Sequence, residues 1–116
     1  MKKMDGAGLA KMVTLDRATS EISRVHSLVE RFAIEVRGNK NTAAFRQQIQ
    51  RAATPLVGLL KGQFGMISDQ VSSLILVLTR GGSDQTRLRS LREHVAQVRT
   101  ALEISVSKVR EQHEEN

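Results

Sequence analysis

Apolar residues along the first third of the chain recur at alternating steps of three and four: Leu15, Ala18, Ile22, Val25, Val29, Phe32 and Val36. At 3.6 residues per turn this spacing places all seven on one stripe, which predicts an amphipathic helix over about residues 9–37. Leu28, Ala33 and Ile34 widen the stripe, while Asp16, Arg17, Glu21, Arg24 and Arg31 occupy the opposite face. The last third repeats the pattern with Leu88, Leu91, Val95, Val98, Leu102 and Val109, broken only by Ser105, and predicts a helix over about 84–111. Two polar, Gly-containing breaks separate the stretches, Gly38-Asn39-Lys40-Asn41-Thr42 and Gly81-Gly82-Ser83-Asp84. Each joins a residue suited to ending a helix to one suited to capping the next: Thr42 or Asn41 in the first, Ser83 or Asp84 in the second.

The middle stretch, about 42–79, is the ambiguous one. Phe45, Ile49, Ala52, Leu56, Leu60, Ile67, Val71, Leu74 and Leu78 line one side, but Pro55, Gly58, Gly62 and Gly65 interrupt it. An interior proline costs about 3 kcal/mol and each glycine about 1 kcal/mol against alanine. One long kinked helix gives an all-α, elongated, up-down-up three-helix bundle, which is the reading adopted. The alternative is four helices, with a break near Gly62–Gly65. Short connections make sequential helices antiparallel in either case, and residues 1–116 read as a single domain. Ser73-Leu74-Ile75-Leu76-Val77-Leu78 is apolar almost all round, more than one neighbour can cover, so it marks a candidate partner patch.

Composition narrows the chemistry. With no cysteine among 116 residues, disulfides, thiol catalysis and Cys-based metal sites are excluded. Only three aromatic residues are present, all Phe, so the core is built from aliphatic side chains. No apolar run is long enough to span a bilayer, and Met1-Lys2-Lys3-Met4-Asp5-Gly6 is not followed by the apolar stretch of a signal peptide. The net charge of +6 favours anionic partners.

His26, His94 and His113 share no ligand spacing and read as solvent-facing, so no metal or cofactor is expected. Gly58-Leu59-Leu60-Lys61-Gly62-Gln63-Phe64-Gly65 lacks the terminal Gly-Lys-Ser/Thr of a phosphate loop. Ser68, Ser72, Ser73, Ser105 and Ser107 have no adjacent base, so the chain is expected not to be an enzyme. Arginines spread over the last helix (Arg87, Arg89, Arg92, Arg99 and Arg110) suit a solvated basic face or a groove for an anionic partner.

One stretch carries a family resemblance. Gly38-Asn39-Lys40-Asn41-Thr42-Ala43-Ala44-Phe45-Arg46-Gln47-Gln48-Ile49 resembles the junction between the first two helices, Ha and Hb, of the N-terminal regulatory (Habc) domain of syntaxin-family SNAREs. Ile22-Ser23-Arg24-Val25-His26-Ser27-Leu28-Val29-Glu30-Arg31-Phe32 is similar to Ha. The likeness spans about 15–111, but only about a dozen residues of it are specific. The chain departs from the family in lacking a SNARE motif and a membrane anchor, and in its positive charge and Pro55/Gly cluster. The resemblance implies a non-catalytic regulatory bundle in vesicle transport and membrane fusion, held at the cytosolic face of an endomembrane through a parent protein. It also implies a SNARE helix, a Sec1/Munc18-type protein or a tether as partner. Helical geometry beside the seams gives Val57, Lys61, Phe64, Arg92, Arg99 and Val106 as candidate edges of a groove between the middle and last helices. Two other readings stay open: a basic bundle for nucleic acid or anionic lipid, and a bacterial-type helical adaptor that self-associates through 74–78.

Overall fold

Among the described residues four helices form, not three. The computed structural model describes residues 4–38 and 42–114, and its helices are α1 (Gly6–Arg37), α2 (Ala43–Lys61), α3 (Gly65–Thr79) and α4 (Asp84–His113). The expected single middle helix ends at Gly62, resumes at Gly65 and turns between them, so the four-helix alternative is the architecture found. Phe64, at φ −136° and ψ 59°, is the non-helical residue of the turn. Its amide donates to the Leu60 carbonyl at 2.7 Å, and Ser68 Oγ donates to the Val57 carbonyl at 2.9 Å, which pins α3 back against α2.

The register along α1 explains the break. Arg31 lies over Phe45 and Thr14 bonds Gln63, so α2 descends antiparallel beside α1. Continued straight in that register, the helix would bring Val71 level with Gly6, where α1 begins. Leu74, Val77 and Leu78 would then stand beyond α1 in water. Folding back instead buries all three at 5% exposure or less. Burying a side chain of this kind is worth about 1.5–3 kcal/mol, which outweighs one broken turn. Pro55 does not end α2; its ring sits on an exposed face and the helix runs through to Lys61.

α1 and α4 are antiparallel along their full length, with contacts from Asp5–His113 at one end to Glu30–Arg92 towards the other. The bundle is therefore up-down-up-down and closes in a ring, with α1 against α2 and α4, and α3 against α2 and α4. It measures 55 × 24 × 17 Å, and α1 alone accounts for about 48 Å of the long axis at 1.5 Å per residue. The seam residues Leu15, Ala18, Ile22, Val25, Val29 and Phe32 of α1 are buried, as are Leu91, Val95, Val98, Leu102 and Val109 of α4. Ile34 is the departure on α1: it is 60% exposed rather than part of the stripe.

The end of the bundle where α2 begins is tied by a polar network. Thr42 stands at the N-cap position of α2 but makes no capping bond with its side chain; its hydroxyl donates to Asp84 Oδ2 at 2.6 Å. Asn41, the other expected cap, lies outside the described residues. The same Asp84 carboxylate accepts from Arg87 Nη1, while Arg87 Nη2 donates to the Arg80 carbonyl at 2.6 Å. Arg87 is thereby buried, contrary to the solvated face expected for it. Ser83 caps α4 by accepting from the Thr86 amide at 3.1 Å.

At the other end α1 and α4 approach closely at Gly8. A methyl group there would overlap Met4 Cγ and meet His113 Cβ at 2.5 Å. Gly58, inside α2, faces open space. Alanine at either position gains helix propensity, up to about 1 kcal/mol, but only Gly8→Ala must also part the helices, at about 1–3 kcal/mol. Gly58→Ala is expected to raise the urea midpoint and Gly8→Ala to lower it.

Asp5 caps α1 by accepting from the Gly8 amide at 2.7 Å, and both carboxylate oxygens lie 3.1 Å from His113 Nδ1. The Gly8 amide, then the His113 hydrogen bond, hold the Asp5 carboxyl below the ordinary aspartate range. A depressed acid stabilises the fold above its unfolded value and loses that contribution as pH falls through its native one. Asp5→Asn is therefore expected to flatten the fall in melting temperature below about pH 4, leaving the profile at higher pH parallel to that of the parent.

Candidate functional site

α1 presents one flank to α4 and another to α2, and the two differ in how their charges are satisfied. On the α4 side Arg92 clasps Glu30 with two bonds, Nε at 3.0 Å and Nη2 at 2.8 Å. The hydrogen bond holds the Glu30 carboxyl below its usual range and the guanidinium above its own. One helical stretch along, Arg99 Nη1 lies 3.0 Å from His26 Nδ1. The Arg92–Glu30 pair is about half exposed, where such an ion pair contributes roughly 0–1 kcal/mol, so it orients side chains more than it stabilises the fold. Beneath them Val29 and Val95 floor a shallow depression, and Val106 borders a second one beside Asp16 and Thr19.

These positions separate the six expected groove residues into two groups. Arg92, Arg99 and Val106 of α4 turn towards α1. Val57 and Phe64 are half-buried against the core and Lys61 is exposed in the last turn of α2. α2 and α4 are diagonal in the ring and meet only at its end, where the Thr42 cap bonds Asp84; along their lengths α3 stands between them on one side and α1 on the other. The six residues therefore share no groove. The 73–78 girdle is largely absorbed as well: Leu74, Val77 and Leu78 are buried, Ile75 is half-buried, and Leu76 is 53% exposed.

The flank towards α2 is different. Arg17, Arg24 and Arg31 are seven residues apart and all face α2. Arg17 borders a depression with Pro55, Gly58 and Leu59, and Arg24 borders the next one with Gln48, Arg51 and Pro55. The Arg31 guanidinium lies over the Phe45 ring, 5.7 Å from its centroid. Glu21 belongs to both depressions and joins them into one trough. Arg17, Arg24 and Arg51 are exposed and form no ion pair among the described residues. The chain matches no known protein family, curated protein or solved structure.

Among the described residues no group of three His, Asp or Glu side chains could hold a metal ion, and no helix is long and apolar enough to cross a membrane. The histidines are half-buried and partnered rather than solvent-facing: His26 with Arg99, His94 with Ser90, and His113 with Asp5. Ser90 Oγ is 3.5 Å from His94 Nδ1, the one serine–histidine contact among the described residues. That nitrogen is 2.7 Å from the Ser90 carbonyl, to which it must donate, so it carries a proton and cannot take one from the hydroxyl. Ser23, Ser27 and Ser73 donate to carbonyls one turn back in their own helices. What the surface offers is a patterned set of charges along a helix–helix trough. The heptad spacing of Arg17, Arg24 and Arg31 is visible in the sequence. Their position beside α2, rather than on a featureless solvated face, is not.

Proposed function

We propose that the chain is a non-catalytic protein-interaction module. Its role is the regulatory one implied by its resemblance to syntaxin-family N-terminal domains: engaging a SNARE helix or a Sec1/Munc18-type partner at the cytosolic face of an endomembrane, through a parent protein. The observation that carries the interaction reading is the trough between α1 and α2. It combines arginines that form no ion pair among the described residues with the half-exposed apolar residues Leu28 and Leu59, and a surface of this kind suits recognition of a folded or folding segment. The SNARE reading rests on residues 22–32 and 38–49. The division of the middle stretch into α2 and α3 removes the long Hb that the family uses, so the partner would have to sit elsewhere than between the middle and last helices.

Isothermal titration of the whole chain with a matching SNARE helix and with a Sec1/Munc18-type protein tests this reading. Saturable binding of either, one to one, is expected. Heats no different from dilution with both partners would remove the SNARE role. A second reading, a basic bundle for nucleic acid or anionic lipid, draws on the +6 charge. Its signature is an affinity that falls steeply and linearly in log units with salt.

A further inference from the structure

The trough between α1 and α2 carries a charge pattern more specific than a basic face. Arg17, Arg24 and Arg31 repeat every seven residues, about 10.5 Å along α1 at 1.5 Å per residue. Arg51 stands across from Arg24 on the other bank. Glu21 sits between the first two arginines, and Leu28, Leu59 and Pro55 give the trough an apolar lining. We infer that this trough docks an acidic amphipathic helix, one with carboxylates at heptad spacing along one edge, an aliphatic stripe beside them, and a basic residue opposite Glu21. The inference rests on the interaction reading above and names the chemistry of the partner.

Three features favour a helix over other anionic partners. The period of the arginines is the period at which a helix running alongside presents equivalent side chains. Duplex phosphates come about every 3.4 Å per strand and would meet Glu21 as well as the arginines. No Trp or Tyr is present to stack on bases, and the Phe45 ring is covered by Arg31. An anionic membrane surface would likewise meet Glu21 among the arginines, and it has no seven-residue period to match theirs.

The test uses the whole chain and a 21-residue helix-forming peptide with Glu at every seventh position and Leu on the neighbouring stripe. A second peptide has the same composition in scrambled order. By fluorescence anisotropy the ordered peptide is expected to bind at least about fivefold more tightly than the scrambled one. Arg24→Glu with Arg51→Glu is expected to abolish that preference, and a peptide with Lys in place of the heptad Glu to recover binding on this double variant. Arg92→Ala, on the other flank of α1, is expected to change the affinity less than about twofold. Circular dichroism of the variants, whose changed side chains are all exposed, checks that the bundle is intact.

Equal binding of ordered and scrambled peptides would overturn the proposal. So would tighter binding of dT20 or of phosphatidylserine vesicles, lost on the same arginine substitutions, because the trough would then be reading charge without order. A SNARE helix that binds the double variant as well as the parent would remove the trough assignment and leave the interaction reading standing. If neither peptide nor any named partner binds, both are lost.

Discussion

Phe32→Ala is expected to lower the unfolding free energy by about 3–5 kcal/mol, the largest effect of any single truncation in the chain. Phe32 is the largest fully buried side chain, at 0% exposure, and the other two phenylalanines, Phe45 and Phe64, are only half-buried. The rest of the core is aliphatic, so no nearby aromatic ring can swing in to fill the space. A chain of this size has about 5–15 kcal/mol of stability in total, and the variant should sit near the edge of folding. Urea denaturation is the measurement: the midpoint should fall sharply with the slope unchanged. Phe45→Ala, at a half-buried site under Arg31, should cost well under half as much. If the two variants lost equal stability, the core would not be centred where the structure puts it.

Asp84→Ala is expected to cost about 3 kcal/mol, although the residue removed is on the rim of the bundle. The cost arises at Arg87, whose side chain is 7% exposed and would keep only the Arg80 carbonyl as partner, with its Nε already lacking one. The Thr42 hydroxyl would lose its acceptor at the same time. Removing the cation as well reverses the logic, because the charge left without a partner is what costs energy. The double variant Asp84→Ala/Arg87→Met is therefore expected to be more stable than Asp84→Ala alone, and thermal melts of the three proteins give the order directly. Arg87→Met destabilising as much as Asp84→Ala would show that the network is not organised around the buried guanidinium.

Much of the fold could be read from the sequence, for a reason particular to long helices. An apolar position repeated at three- and four-residue steps over 20 residues cannot face water and the core alternately, so the seams from Leu15 to Phe32 and from Leu91 to Val109 are buried as their spacing predicts. Ser83 caps α4 as its chemistry predicts; Gly38 does end α1, but in right-handed geometry (φ −76°) rather than the left-handed one that glycine favours. The turn at Gly62–Phe64 is harder to foresee, because the largest local cost, about 3 kcal/mol at Pro55, falls where the helix runs straight through, and the three glycines, at about 1 kcal/mol each, do not pick a site among themselves. What decides it is how far down α1 the middle stretch starts, a tertiary quantity set by the Arg31–Phe45 and Thr14–Gln63 pairings. The apolar girdle at 73–78 does contain the hint, since a helix apolar nearly all round needs walls on several sides.

The candidate site was legible only as residue types. Arg17, Arg24 and Arg31 read as the solvated back of a helix when only one helix is considered, and as one bank of a trough once α2 lies beside them. The groove expected between the middle and last helices needed those two to be neighbours, and the return of α3 makes them diagonal. Arg87 belongs to the same lesson. In the sequence it is one of five arginines on a basic helix; in the bundle the nearby Asp84 and the carbonyl of Arg80 draw it inwards.

The meeting of Met4 with Glu114, and of the Asp5 amide with the His113 carbonyl at 3.3 Å, makes the stretch from 4 to 114 a nearly closed loop. A few added residues could join those two points covalently. Reopening the loop at Gly81–Gly82, both exposed, would then leave every helix beside its present neighbours. Such a circular permutant should refold to the same bundle, for helix order along the chain matters less here than which surfaces touch.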